Sequence, residues 1–294
     1  VLDRTKEKGA PGEPLYLDVV AAYNEVDESP RIIRGRYGIG QKDTTPAMLA
    51  AVYDNLREEK PKREFTLGIK DDVTHLSLEP RDGFIIKDPT MVRCKFWGNG
   101  GDGTVGANKS AITIIGDNTD KYVQGYFDYD AKKSNGLTVS HLRFSEKPIN
   151  SAYLVDQSDF ISCSPQAYIF MYDLLKGLKK GGTFLLNTIW SDEELNEHLP
   201  ASMKRYLAEN EIEFYTINAT AVAEEVGLGN RTNMVIQTAF FKLANILPID
   251  QAISLLKDSI LESYGNKGED VVNMNNRAVD LSLDRLHKVD VPAD

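Results

Sequence analysis

The stretch WGNGGDGTVGANK, residues 97–109, places five glycines between Gly98 and Gly106. An apolar, strand-like run, VRCKFW (92–97), leads into it, and a helical pattern from Val105 to Ile115 leaves it. Two GxGxxG spacings overlap here, Gly98-Gly100-Gly103 and Gly101-Gly103-Gly106. A glycine turn between a strand and a helix is the context this motif requires. Glycine permits positive φ and close approach of other atoms to the backbone. The first amides of a helix have no intrahelical acceptor and sit at the positive end of its dipole. A phosphate or pyrophosphate is the natural guest of such a turn, and a ligand-free tight turn is the alternative.

The pattern downstream repeats this alternation. GYFDYD (125–130), LTVSHLRF (137–144), DFISCS (159–164), TFLLNT (183–188) and EFYTIN (213–218) read as further strands. Helical segments are predicted over 166–177, 192–209, 231–247, 250–264 and 269–287. Strands alternating with helices imply an α/β fold with a doubly wound, mostly parallel, Rossmann-like sheet over residues 91–294. Residues 1–90 read as a short, separate α/β region, the C-terminal part of a preceding domain. It holds a helical pattern at Leu15–Val26, strands in RIIRGRYGIG and FTLGIK, and a helix from Pro46 to Leu56 capped by Thr44 or Thr45.

Composition narrows the partners. The formal net charge of −10 argues against a nucleic-acid or membrane-surface binder, which needs a basic face. No apolar run approaches the length of a membrane span. The charged start VLDRTKEKGAPGEP has no apolar signal core and no initiator Met, so the chain reads as a processed or excised piece. Cys94 and Cys163 lie in apolar runs, which is the setting of buried free thiols in a reducing compartment, hence a cytoplasmic expectation. Two cysteines cannot hold a four-thiolate iron–sulfur cluster, and His75, His141, His198 and His287 lack metal-site spacing.

Several residues could serve a ligand at the glycine turn. A nicotinamide cofactor needs an acidic residue near the end of the second strand, where Asp128 and Asp130 stand. Lys132 and Lys133 follow at once, and adjacent lysines at a strand's carboxyl end point to a further phosphate, solvated surface lysines being the alternative. GDG also opens the thiamine diphosphate motif, which requires an Asn pair 25–30 residues on; only Asn135 is present, so Asp102 reads as a helix cap or loop brace. A second glycine loop, GLGNRTNM (227–234), offers Asn230, Arg231 and Asn233. Asn187, after the fifth strand, lies at an element end as well. In VVNMNNRAVD (271–280) the asparagines lower helix propensity, and Asn275 could face the ligand. His141 and Asp159 read as structural.

CKFWGNGGDGTVGANK, IIGDNTDKYVQGYFDYDAKKSNGLTVSHLRF, LKKGGTFLLNTIW, FYTINA and NMVIQTAFFKLANILP resemble the pyruvate:ferredoxin (flavodoxin) oxidoreductase family, as do GRYGIGQKDTTPAMLAAVYDNL and IKDDVTHLSL. The resemblance implies a long enzyme that decarboxylates pyruvate on thiamine diphosphate with Mg2+, passes electrons through [4Fe-4S] clusters to ferredoxin or flavodoxin, and gives the acetyl group to coenzyme A. It implies that residues 1–90 end a transketolase C-terminal-like domain and that 91–294 bind coenzyme A. Gly101, Asp102, Gly103, Thr104 and Val105 resemble the family's coenzyme A loop, Lys133 its phosphate lysine, and Asn233 and Asn275 its polar contacts. The thiamine, pyruvate and cluster-binding parts are missing from these 294 residues, so this piece alone is not expected to turn over pyruvate; its partners would be the other domains of the same enzyme, which would be a homodimer when full length. The bland alternatives are a nicotinamide-dependent dehydrogenase domain using the same loop and a non-catalytic assembly module.

Overall fold

A computed structural model describes residues 1–5, 11–28, 30–132 and 135–292. The chain forms two compact units, Val1–Asp88 with Ser151–Leu154, and Pro89–Asn150 with Val155–Asp294. In the first, strands β1 (Leu2–Asp3), β2 (Arg34–Arg36) and β3 (Glu64–Thr66) form a parallel sheet in that order, with helices α1 (Pro14–Tyr23) and α2 (Pro46–Arg57) in the connections. Both helices begin at a proline, whose fixed φ suits the first turn. Of the two cap candidates, Thr45 accepts the Met48 amide through its side chain. Asp3 caps α1 from a distance in sequence, accepting the Leu15 and Tyr16 amides at 3.1 Å each. Ile33, Phe65 and Leu67 make the small core.

The second unit carries a seven-stranded sheet built from β4 (Val92–Asn99), β5 (Tyr122–Tyr129), β6 (Leu137–Ser145), β7 (Ser158–Cys163), β8 (Leu178–Asn187), β9 (Glu213–Ile217) and β10 (His287–Lys288). The order is β10-β9-β8-β7-β4-β6-β5. β4, β7, β8 and β9 pair in parallel, and β6 runs antiparallel between β4 and β5, so β5 points the same way as β4. The mostly parallel α/β expectation is therefore met, with β6 and β10 as the reversed strands. The helices of this unit are α3 (Thr104–Asn118), α4 (Asp192–His198), α5 (Ala201–Glu209), α6 (Ala219–Glu225), α7 (Asn233–Ala244), α8 (Ile249–Tyr264) and α9 (Glu269–Arg285). α3 and α7 meet, and α9 packs on α6, α7 and α8.

Two apolar layers sandwich the sheet. One joins Cys94, Phe96, Leu142 and Phe160 to α3 and the C-terminal helices; the other joins Ile161, Cys163, Phe184 and Phe214 to α4 and α5. Cys94 and Cys163 are free, buried thiols, and burial raises both above the usual thiol range. The segment expected as one helix over 192–209 is two, because Leu199 is extended (ψ 133°) before Pro200. Proline disfavours the helical region for the residue before it and donates no amide to continue the ladder. The helix expected over 166–177 is a 3-10 turn at Gln166–Phe170 followed by irregular chain. β8 begins at Leu178, earlier than the TFLLNT run, and the short helix α6 had no counterpart in the sequence pattern.

His141 and Asp159 brace this unit. Asp159 accepts the Arg93 amide at 2.7 Å and pairs with Lys179 at 2.6 Å. The Val155 amide donates to His141 Nδ1 at 3.1 Å, which fixes a neutral imidazole. Burial, reinforced by the charges of Lys95 and Arg143, pushes the His141 pKa down from 6.5 to about 3. The unfolded chain then binds a proton that the folded chain refuses, so His141 contributes stability above pH ~6.5 that is lost as pH falls towards 3. His141→Asn keeps an acceptor for the Val155 amide but removes the titration, so denaturation midpoints between pH 7 and pH 5 should fall less steeply in the variant; an equal slope would contradict this assignment. Phe240 sits at the centre of the first layer, with ring centroids 5.1 Å from Phe96, 5.5 Å from Phe160 and 5.4 Å from Phe241. Phe240→Ala should cost about 3–5 kcal/mol in urea titrations with an unchanged slope.

Candidate functional site

The carboxyl ends of β4, β5, β7, β8 and β9 share one edge of the sheet, where open α/β sheets bind ligands. The glycine turn lies on it. Gly101 (φ 99°) and Gly103 (φ 87°) occupy backbone conformations that other residues resist. Between them Asp102 turns its carboxylate onto the backbone, accepting the Asn99 amide at 2.7 Å and the Thr104 amide at 2.8 Å. Asp102 is thus a loop brace, with both oxygens engaged. Gly98 is required by space, since a Cβ there would stand 2.8 Å from Thr104 Cβ and 2.9 Å from Thr138 Oγ1. At Gly101 and Gly106 a Cβ would meet nothing within 4 Å, so the loop and the first turn of α3 present open space.

Two helix N-termini converge there. A Cβ on Gly103 would lie 3.2 Å from Asn233 Cβ, which places the first residue of α7 against the start of α3. Neither N-cap residue makes a side-chain cap. The first intrahelical bonds are Ala107 N–H to Gly103 O in α3 and Ile236 N–H to Thr232 O in α7. The preceding amides of both helices have no intrahelical acceptor, and only that of Thr104 is taken by Asp102. Asn233 is half-buried, and its side chain has no hydrogen-bond partner among the described residues.

The turn after β5 clamps the loop from the other side. Gly100 N–H donates to Gly136 O at 2.8 Å, and Asn135 N–H donates to Gly100 O at 3.3 Å, with Asn135 in the left-handed region (φ 54°). Lys132 in this turn is exposed, as are Asp128 and Asp130; Lys133 lies outside the described residues. Thr104, buried, joins its hydroxyl to that of Ser164 at 3.2 Å, linking the loop to the segment after β7. Sequence reasoning passed over Ser164 and Gly136; Asn135-Gly136 was a legible turn pair, whereas nothing local marks Ser164.

The remaining candidates divide. Val105 is half-buried at the start of α3. Asn230 and Arg231 are exposed in the second glycine loop, where Gly227 (φ 86°) lies against Met274 of α9. Asn275 is 4% exposed and donates to Val271 O at 2.8 Å, within its own helix. Asn187 donates to Ser164 O and accepts the Ala219 amide, each at 3.0 Å, so its amide is a brace between strand ends.

Comparison with known proteins decides the family. The model for "Pyruvate ferredoxin/flavodoxin oxidoreductase" matches residues 93–284, about two-thirds of the chain. The chain belongs to this family. It is 53% identical over 293 residues to a pyruvate:ferredoxin oxidoreductase from Moorella thermoacetica, covering all of this chain and 25% of that protein. The chain therefore spans about a quarter of the length of the curated relatives it matches. Pyruvate oxidoreductase subunit PORC from Thermotoga maritima shares the fold, with a TM-score of 0.54 and 16% identity over 68% of this chain and 99% of that subunit. So does a 2-oxoglutarate:ferredoxin oxidoreductase from Magnetococcus marinus, solved with 2-oxoglutarate, coenzyme A and succinyl-CoA bound, at TM-score 0.50 and 19% identity over 67% of this chain and 31% of that one. No helix among the described residues is long and apolar enough to cross a membrane.

Gly103 and Gly106 make opposite demands on a methyl group. Gly103→Ala should destabilise this unit by about 1–2 kcal/mol, because its φ is left-handed. Gly106→Ala, in a helix and facing open space, should stabilise it by about 0.5–1 kcal/mol. Urea midpoints of the two variants moving in the same direction would contradict the loop geometry.

Proposed function

We propose that this chain is the coenzyme A-binding portion of a pyruvate:ferredoxin or flavodoxin oxidoreductase, converting pyruvate and coenzyme A to acetyl-CoA, CO2 and a reduced carrier. The observation that carries the reading is the meeting of two helix starts, α3 and α7, over a glycine turn with open space. Oriented amides and helix dipoles bind diphosphate without requiring a basic surface. The bound coenzyme A of the Magnetococcus relative, which shares the fold, supports the same ligand. Gly101 to Val105 would cradle the pyrophosphate, Lys133 would meet a further phosphate, Asn233 would hydrogen-bond the ligand from α7, and Asn275 would act from α9.

This part contributes to catalysis by position, presenting the coenzyme A thiol where the acyl group is delivered. Mg2+ and [4Fe-4S] clusters do not fit the residues here: the chain has two cysteines, and no group of three His, Cys, Asp or Glu among the described residues could hold a metal ion. We assign those groups, the docking of ferredoxin or flavodoxin, and homodimer formation to parts of the enzyme outside these residues.

Calorimetry on the full-length enzyme with coenzyme A, dephospho-coenzyme A and NADH tests the reading. Coenzyme A should bind, and the dephospho form should bind about tenfold or more weakly, as expected from one lost charge-assisted contact. Lys133→Ala should erase that difference. Gly106→Ala should weaken coenzyme A binding although it raises stability. Binding of NADH in preference to coenzyme A would overturn the assignment.

A further inference from the structure

An apolar patch lies on the same sheet edge as the glycine turn. Ile189 is 72% exposed, Phe170 63% and Met171 62%. Trp190 joins them, its ring 6.2 Å from that of Phe170 in an edge-on arrangement. Such side chains stay in water only at a cost, and an exposed aromatic cluster marks an interaction site. The patch is also held in shape before any partner arrives. Gln166 Oε1 accepts both the Thr188 hydroxyl at 2.6 Å and the Ile189 amide at 3.2 Å, tying the turn after β7 to the loop after β8. Tyr172, next to Met171, stacks on Trp97 of β4 at 5.5 Å. Residues 166–172 and 188–190 contain no charged side chain, whereas charged groups of both signs stand at their margins: Asp173, Glu193, Arg285, and Asp192 paired with His287 at 3.0 Å. An apolar centre with a charged rim is the anatomy of a protein–protein interface. Beside it runs a cleft of about 550 Å³ lined by Phe170, Met171, Met203 and Tyr206, able to receive a side chain.

We propose that Phe170, Met171, Ile189 and Trp190 form the surface on which the remainder of the full-length enzyme docks, so that the edge holding the glycine turn faces the acyl donor. The occupant is polypeptide outside these 294 residues, with an apolar centre that covers the patch. Its size is available, because the matched relatives extend over about four times this length. The proposal rests on the reading of the edge as the place where coenzyme A meets the rest of the enzyme, but contact at the patch can be read without ligand.

The test is photocrosslinking in the full-length, active enzyme with no coenzyme A added. Ile189→p-benzoylphenylalanine and, separately, Met171→p-benzoylphenylalanine report the patch, and Leu261→p-benzoylphenylalanine, at a position 59% exposed on α8, serves as the reference. After irradiation, mass spectrometry should find peptides from outside these 294 residues joined to positions 189 and 171 at several times the yield from 261. Crosslinks confined to peptides within these 294 residues would overturn the proposal. Yields no higher than at 261 would overturn it as well. Neither result depends on whether coenzyme A binds, which the calorimetry decides separately.

Discussion

The Asp102 carboxylate is the interaction on which the candidate site depends. It closes a short ring from the end of β4 to the first residue of α3 by accepting the Asn99 and Thr104 amides. The left-handed glycines on either side let the chain turn sharply enough for one carboxylate to reach both. Without that closure the loop would have many conformations, and a ligand would have to bear the entropy of ordering it. The carboxylate also sits at the positive end of α3, where the helix dipole favours it. The same arrangement gives Asp102 the loop-brace role, one backbone amide on each carboxylate oxygen.

Beneath the loop, polar side chains fix how α3 and α7 align. Gln237 Nε2 donates to Ser110 Oγ at 3.2 Å, one turn along α7 from Asn233. Asn108 Nδ2 and Gln237 Oε1 are buried and make no hydrogen bond among the described residues. Buried amides cost stability unless paired, but they also penalise every sliding of one helix past the other that would break the pairs they do make. Apolar residues alone would tolerate a shift of the two helices. A shift of one turn would carry Asn233 away from Gly103 and separate the two sets of amides. The Gln237–Ser110 bond therefore ties helix packing to the geometry of the site.

The glycine turn was legible because its signal is local: a strand, five glycines and a helix within about two dozen residues. The α/β class followed from the alternation of strand and helix patterns; His141 and Asp159 read as structural, and the structure supplies the particular braces they make. The second glycine loop marked Asn233 as a polar group at an element end, but its meeting with Gly103, 130 positions apart, carries no local mark. Asn187 shows the opposite error. Its place at a strand end suggested a ligand, yet two backbone groups claim its amide, because the loops after β7 and β9 have unsatisfied groups of their own. The break at Pro200 was written in the sequence, and the helical pattern on both sides hid it. In the 3-10 turn at Gln166–Phe170, Gln166 reaches across to Thr188, a contact that periodicity cannot register.

A net charge of −10 and the anion site proposed at the carboxyl edge are compatible because they act over different distances. The repulsion of scattered surface carboxylates is screened over about 8 Å at physiological ionic strength. Amides at hydrogen-bond distance act inside that range, and their partial charges are fixed in direction by the helices that carry them. Each group that aims them is itself held: Thr104 by Ser164, Gly100 by Gly136, and α7 by Gln237. An acidic protein can therefore hold a diphosphate provided the donors are rigid, because a flexible donor would yield to the surrounding field and a braced one does not. Rigidity at the carboxyl edge is in this sense the electrostatic device of the proposed site.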